Sequence, residues 1–146
     1  MLELTQGEAD ALLAMHKRCK ERSVYRLPSL GGRLNVALES LDGREAFFLD
    51  LQRGRIDLTR RTYQHRARQI IVLARVDFGA PHRNPDGEEI GVPHIHLYRE
   101  GYADKWAMPL PLDRFRDAGD PQAVLADFLA LCNIVEPPTL EGDLLS

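Results

Sequence analysis

The chain has 146 residues, of which 44% are hydrophobic and 28% are charged, with a formal net charge of −3. This length and balance predict one domain over residues 1–146 with a single core, and they argue against a wholly disordered chain. No apolar run approaches the roughly 20 residues that a membrane helix needs. The N-terminal segment lacks a basic region followed by an apolar stretch, so we expect a cytoplasmic protein without a secretory signal or a membrane anchor.

The first predicted element is an amphipathic helix over residues 6–22. It starts with a capping box, in which the Thr5 hydroxyl accepts from a first-turn N–H and Glu8 reaches back to the N-cap. Helical spacing then continues through Ala9, Leu12, Leu13, His16 and Cys19. Residues 1–5 are expected to fray. Cys19 and the distant Cys132 have no CxxC partner, so both are expected to be buried free thiols.

Strand patterns fill the middle of the chain. The stretch "RLNVALES" alternates, Asp42-Gly43 predicts a hairpin turn, and "EAFFLDLQ" supplies the returning strand. A further alternation is predicted over residues 55–59, whereas "RRTYQHRAR" after it is interpreted as a polar segment. The run "QIIVLARVDF" is apolar on both faces at first and is expected at the sheet centre. Strand patterns resume in "HIHLY" and "KWAMPL".

A closing helix is predicted after Asp120-Pro121, where an N-cap residue precedes proline at the first helical position. Pro137-Pro138 ends this helix, and residues 138–146 are expected to fray. The predicted fold class is α+β: an antiparallel sheet of five to six strands in meander order, with an N-terminal and a C-terminal helix packed on it.

Three of the five histidines lie in "HRNPDGEEIGVPHIHLYREG", residues 82–101. Proline and glycine exclude regular structure over residues 79–93, which are expected to form an ordered loop between two strands. Alternate side chains of a strand share a face, so His94, His96 and Tyr98 share one face, as do Arg75 and Asp77 on the strand before. If the two strands pair, these groups can meet on one surface.

Acid–base catalysis is the leading interpretation of this segment. Histidine titrates near neutrality, so one ring can take a proton while another gives one. The candidate catalytic residues are His94, His96, His82 and Asp77, with Asp77 orienting a histidine. The candidate substrate-binding residues are Arg75, Arg83, Asn84 and Tyr98. This set suits cleavage of a phosphodiester, above all RNA, and it calls for no cofactor and no metal.

Two other interpretations stay open. An H-x-H pair can offer two imidazoles to one metal ion, and His82, Asp77 or Glu100 could complete the ligand set of a metal-dependent enzyme. Alternatively, the histidines are structural and serve backbone groups of a turn-rich loop through hydrogen bonds.

Arginine is concentrated between Arg53 and Arg75. Such a stretch is typical either of solvated strand faces or of a surface for an anionic partner, because the guanidinium group matches phosphate and carboxylate with two hydrogen bonds. It therefore makes RNA or another protein a candidate partner. In the second case the protein would be a non-catalytic binding factor, such as an antitoxin or a phage-encoded inhibitor of its host.

The sequence resembles a family of small bacterial and phage-borne domains of unknown function over roughly residues 50–135. The signature elements carried here are Arg75-Val-Asp77, the hexapeptide "HRNPDG" from His82, and "HIHLYREG" from His94. Because the function of that family is unassigned, the resemblance adds context and no mechanism.

A shorter stretch of about 25 residues resembles small toxins of toxin–antitoxin modules. It runs from Arg75-Val-Asp77 through Pro81-His82 to Pro93-His94-Ile-His96, with one extra residue between Asp77 and Pro81. This resemblance implies an RNA-directed toxin from a mobile-element or toxin–antitoxin context, with Asp77, His82, His94 and His96 as its site.

Overall fold

A computed structural model describes residues 3–56 and 60–142. It contains two helices, α1 (Gln6–Ala14) and α2 (Pro121–Leu131). The strands, in chain order, are β1 (Lys17–Cys19), β2 (Val24–Arg26), β3 (Arg33–Ser40), β4 (Ala46–Arg53), β5 (Arg61–Ala67), β6 (Ile71–Asp77), β7 (His82–Arg83), β8 (Glu89–Ile90), β9 (His94–Leu97), β10 (Ala107–Pro109), β11 (Ile134–Glu136) and β12 (Thr139–Glu141).

The main sheet has eight strands in the spatial order β10-β9-β6-β5-β4-β3-β1-β11. Strands β3 to β6 follow one another as an antiparallel meander, and the α+β class is confirmed. The predicted count of five to six strands is wrong, because the short strands β1 and β11 extend one edge and pair in parallel with each other. Two small sheets, β2 with β12 and β7 with β8, lie outside the main sheet. The prediction that residues 79–93 contain no regular structure is wrong, because β7 and β8 form a short antiparallel pair across the turn at Pro85-Asp86-Gly87.

The first helix is shorter than predicted. The capping box is present, with the Thr5 hydroxyl accepting from the Glu8 N–H, but α1 ends at Ala14 rather than at residue 22. Residues 17–19 form β1 instead, because they pair with both β3 and β11. Pairing with these strands thus outweighs the helical spacing of apolar residues that extended as far as Cys19. Cys19 is still a buried free thiol, as is Cys132 at the C-cap of α2.

The polar segment after residue 59 is a central strand, which the sequence analysis missed. In β5 the side chains of Arg61, Tyr63, His65 and Ala67 are buried in alternation with partly exposed ones. The sequence pattern also predicts a strand over residues 55–59. Residues 55 and 56 do not belong to a strand, and Ile56 is 92% exposed rather than buried on a sheet face; residues 57–59 lie outside the described residues. Buried arginine and histidine conceal the apolar period on which the strand prediction depended.

Both ends of the described chain are held in the fold. Leu4 is buried and hydrogen-bonded to the Tyr98 hydroxyl, and Thr139–Glu141 pairs with β2. These parts of segments 1–5 and 138–146 are therefore ordered where fraying was expected, and residues 1–2 and 143–146 lie outside the described part. Neither described helix is long and apolar enough to cross a membrane.

The two faces of the main sheet differ in chemistry. One face is apolar and is covered by helix: Tyr63 contacts the Phe128 ring and donates from its hydroxyl to the Pro121 carbonyl of α2. The other face, which we call the polar face, carries polar side chains in register across five strands. These are Asn35, Asp50, Gln52, Thr62, Gln64, Arg75, Asp77, His94 and His96.

His65 sits on the apolar face and is expected to make the fold sensitive to acid. Its Nδ1 donates to the Phe48 carbonyl, its ring stacks on Phe47, and it is fully buried. Burial, together with the nearby Lys17 charge, lowers the pKa of His65 to about 3. His65 binds a proton near pH 6.5 in the unfolded chain but stays neutral there in the folded chain. As the pH is lowered below 6.5, the free energy of unfolding should therefore decrease by up to about 1.4 kcal/mol per pH unit.

Urea unfolding measured between pH 5 and pH 8 tests this expectation. Replacing His65 by glutamine should flatten the decline below pH 6.5, while the same change at the exposed His16 should leave it as in the wild type. Parallel pH profiles for the wild type and His65→Gln would contradict the assignment.

Candidate metal centre

The pairing of β6 with β9 brings four predicted site residues together. Arg75 lies opposite His96, and Asp77 lies opposite His94. All four side chains therefore belong to the polar face, and the expectation that the two strands present them on one surface is confirmed. Asp77 is the last residue of β6 and His94 is the first residue of β9, so the group lies where the chain leaves and re-enters the sheet.

Both strand histidines are fixed by backbone carbonyls. The Nδ1 atom of His94 lies 2.9 Å from the Gly91 oxygen, and the Nδ1 atom of His96 lies 2.7 Å from the Asp104 oxygen. Because a carbonyl oxygen only accepts, each Nδ1 carries the hydrogen and donates it. In the neutral ring, each Nε2 then presents a lone pair. Both side chains are only 1% exposed, so the rings are held in place by their surroundings.

The two lone pairs face the same carboxylate. Asp77 Oδ2 lies 3.6 Å from His94 Nε2 and 3.5 Å from His96 Nε2. Neither Nε2 atom has a hydrogen-bond partner among the described residues, and both are buried. Lone pairs and a carboxylate repel one another, so this geometry is stable only with a positive species between them, either a proton or a metal cation.

The environment of Asp77 keeps its carboxylate charged. Burial opposes ionisation, but His94 and His96 when they carry a proton on Nε2, together with the Arg75 guanidinium and the Thr62 hydroxyl, hold the pKa of Asp77 well below its usual range. Asp77 is therefore available as an anionic ligand at every physiological pH.

The spacing of the three groups fits one metal ion. One ligand atom from each of Asp77, His94 and His96 lies within 4.8 Å of the others, and this is the one such group within residues 3–56 and 60–142. Two ligands about 2.1 Å from a tetrahedral ion lie about 3.4 Å apart, close to the 3.5 Å and 3.6 Å observed between Asp77 Oδ2 and the two nitrogens. Glu100, the other carboxylate considered, binds the Gln6 N–H instead.

A second layer of hydrogen bonds orients the three ligands. The Thr62 hydroxyl donates to Asp77 Oδ1 at 2.9 Å, and Arg75 Nε donates to Asp77 Oδ2 at 3.1 Å. Arg75 also forms an ion pair with the Asp104 carboxylate, and the Asp104 carbonyl in turn accepts from His96. Thr62 and Asp104 were missed by the sequence analysis. Thr62 could have been found only with β5 recognised, and Asp104 had no signal.

His82 lies beside the three ligands without joining them. Its ring centroid is 4.6 Å from that of His96 and 6.0 Å from that of His94. Its Nε2 donates to the Lys105 carbonyl at 2.7 Å, which leaves Nδ1 as an acceptor. His82 is half-buried and lines a cavity of about 330 Å³ together with Asp77 and His94. It is thus the most exposed of the three histidines in this group.

The remaining predicted substrate-binding residues lie elsewhere. Arg83 is exposed and contacts the Gly87 carbonyl and Glu89. Asn84 is buried and exchanges two hydrogen bonds with the backbone of Ala107. The Tyr98 hydroxyl donates to the Leu4 carbonyl and accepts from the Leu4 N–H. The structure does not bring these three side chains into the cavity beside the histidines.

The arginine stretch does not form one exposed surface. Arg53 and Arg61 are buried and have polar or charged contacts. Arg66 forms an ion pair with Asp50, and Arg75 is bound by two aspartates. The exposed arginines within the described part of this stretch are Arg55, Arg60 and Arg68.

The chain belongs to a family of unknown function, DUF6978, whose model matches residues 4–134. No curated protein and no solved structure matches the chain significantly. The family assignment supports the expectation of an uncharacterised domain and adds no activity.

Asn84 is expected to be structural, since it ties the loop of His82 to β10. Its side-chain amide donates to the Ala107 carbonyl and accepts from the Ala107 N–H, both buried. Asn84→Ala should lower the free energy of unfolding by about 2–3 kcal/mol, because it leaves two backbone groups unpaired. In urea unfolding, the matched change Asn35→Ala at a more exposed site should cost less than about 1 kcal/mol. Equal losses would argue against a special role for Asn84.

Proposed function

We propose that the protein is a metal-dependent hydrolase in which Asp77, His94 and His96 bind one divalent transition-metal ion. The observation that carries this proposal is the convergence of two buried Nε2 lone pairs and one carboxylate oxygen at ligand spacing. Histidines that bind metals commonly donate their other ring N–H to a backbone carbonyl, and both histidines do so here.

The same geometry favours a metal over acid–base catalysis by His94 and His96 themselves. A general acid or base needs a ring nitrogen that reaches the substrate or a water molecule. In both rings Nδ1 is bound to a carbonyl, and Nε2 is buried and faces Asp77. The proton transfers predicted from the sequence therefore fall to His82, and the pair on β9 serves as ligands.

The ligand set selects the kind of metal. Two imidazoles and one carboxylate suit zinc, and iron, nickel and copper to different degrees. Zinc is our first candidate, because the two distances from Asp77 Oδ2 to the imidazole nitrogens are close to those around a tetrahedral ion and because catalytic zinc sites hold three protein ligands and leave a fourth position open. The second layer formed by Thr62 and Arg75 gives the carboxylate the orientation that such sites require.

Metal content measures this proposal directly. The purified wild-type protein should bind about one equivalent of zinc or cobalt, detected by elemental analysis and by the visible absorption of a tetrahedral cobalt complex. Asp77→Ala, His94→Ala and His96→Ala should each lose at least tenfold in affinity, whereas the exposed His16→Ala should bind as the wild type does. A wild-type protein that takes up no metal, or triad variants that bind normally, would refute the metal centre.

The reaction that we propose is hydrolysis of a phosphodiester. A divalent ion with an open position lowers the pKa of a bound water and stabilises charge on the phosphate. His82 lines the cavity, and its Nδ1 atom, which is left as an acceptor, would serve as the base. It would take one proton from the attacking water as the water oxygen bonds to phosphorus. The bond from phosphorus to the leaving oxygen then breaks, and that oxygen takes up a proton from solvent.

RNA is the substrate that we propose first, since the resemblance to small toxins implies it. A toxin–antitoxin or mobile-element context rests on the same resemblance. Neither part of this assignment depends on the metal geometry, so each needs its own test.

Cleavage of matched oligonucleotides tests the substrate. The zinc-loaded protein should cleave a single-stranded RNA faster than the DNA of the same sequence, and chelation should stop the reaction. His82→Ala should lower the rate about 10²- to 10⁴-fold while leaving the metal content unchanged, as expected for loss of a general base. Cleavage that survives complete metal removal would contradict the proposed mechanism, and an inert metal-loaded protein would exclude RNA as the substrate.

A further inference from the structure

One arginine, Arg60, lines the cavity beside the candidate metal centre. The cavity is lined by Asp77, His94 and His82 and also by Arg60, Thr62 and Gln52, and Thr62 lies next to Asp77, to which its hydroxyl donates. Arg60 is the one lysine or arginine among the described residues that line it. The lining also includes the small or short residues Gly54, Gly79, Ala80 and Pro81.

The Arg60 side chain packs against Gly79. A Cβ atom added at Gly79 would lie 2.7 Å from Arg60 Cγ and 3.1 Å from Arg60 Nε, and both distances are shorter than a contact allows. The arginine side chain therefore lies directly against the backbone at residue 79. Gly79 does not need glycine for its backbone conformation, since it is not among the residues with positive φ. Its lack of a side chain serves the close approach of Arg60.

Arg60 differs from the other arginine near the centre in its charge balance. Arg75 is engaged by both Asp77 and Asp104. The Arg60 carbonyl accepts from the Gly54 N–H, but among residues 3–56 and 60–142 its guanidinium has neither a carboxylate partner nor a hydrogen bond. An exposed guanidinium that lies against the backbone and next to a cavity, with no counter-charge from the described residues, is suited to bind an anion with two hydrogen bonds.

We propose that Arg60, held in place by Gly79, binds the phosphate of a phosphodiester in this cavity. The guanidinium would take one non-bridging oxygen, and Asp77 and His94, which line the same cavity, would hold the metal ion within reach of the same phosphate. Gln52 and His82 lie beside the same space and can contact the groups attached to the phosphate. This assignment rests on the proposed function for the position of the metal, but the anion site itself depends only on Arg60 and the cavity.

A phosphodiester monoanion matches the charges that the cavity provides. Asp77 and Asp104 carry two negative charges and Arg75 carries one positive charge, so the three together contribute −1. A divalent ion brings this sum to +1, and Arg60 raises it to +2. The bound anion would thus have two cations near it, Arg60 and the metal ion, and both would stabilise charge on its non-bridging oxygens.

Binding of dimethyl phosphate, measured by calorimetry, tests the anion site. The measurement reports affinity and does not depend on the rate of catalysis. The zinc-loaded wild type should bind dimethyl phosphate, and Arg60→Ala should lower the affinity at least tenfold, with partial recovery in Arg60→Lys. Gly79→Ala should lower it as well, because the added methyl group displaces the Arg60 side chain while the flexible arginine leaves the fold intact. The matched control is Arg55→Ala, which removes an exposed arginine that does not line the cavity.

Metal content is measured on every variant, so that the two proposals fail separately. Loss of phosphate binding in Arg60→Ala and Gly79→Ala, with one equivalent of metal retained, supports the site. Wild-type affinity in Arg60→Ala, or an equal loss in Arg55→Ala, would overturn it. If the wild type binds no metal, the proposed function fails. The anion site is then tested in the metal-free protein, where it is supported if Arg60→Ala weakens binding of dimethyl phosphate and overturned if it does not.

Discussion

The antiparallel register between β6 and β9 determines where every group of the candidate centre lies. Val76 lies opposite Ile95, and both are fully buried on the apolar face. Side chains alternate along a strand, so a shift by one residue would move these two onto the polar face and turn Asp77 and His94 toward the core. The hydrophobic core thus fixes the register, and the register in turn brings one carboxylate against two imidazoles.

The loops then decide which atom each histidine presents. The Gly91 and Asp104 carbonyls take the two Nδ1 hydrogens, and these residues precede and follow β9 in the chain. The second loop is tied to the sheet through the ion pair between Asp104 and Arg75. Because the ring orientations depend on backbone atoms rather than on mobile side chains, the two imidazole nitrogens of the candidate centre are held in place without an ion.

The sequence predicted the centre better than it predicted the sheet around it. Strand periodicity put His94 with His96 and Arg75 with Asp77, and these placements depend only on the alternation of side chains. The same periodicity missed β5, because Arg61 and His65 are buried among apolar residues and break the hydrophobic pattern. Thr62, whose hydroxyl binds Asp77, was lost with that strand.

Long-range pairing accounts for the other differences. Residues 17–19 are strand rather than helix because β3 and β11 flank them, and β11 lies more than a hundred residues away in the chain. Likewise, Asn84 and Tyr98 appeared to be site residues from their neighbours in sequence, whereas their partners are Ala107 and Leu4. No local pattern reports a partner that is distant in sequence, so these roles required the structure.

The ion pairs of the polar face have an electrostatic consequence of longer range. Asp50 is matched by Arg66, and Arg75 offsets one of the charges of Asp77 and Asp104, so the face has almost no net field of its own. The potential at the mouth of the cavity is then set by whatever lies in the metal centre and by Arg60. Uptake of a divalent ion would change that potential from slightly negative to positive. The ion would thereby attract diffusing anions to the cavity, in addition to acting on them once they are bound.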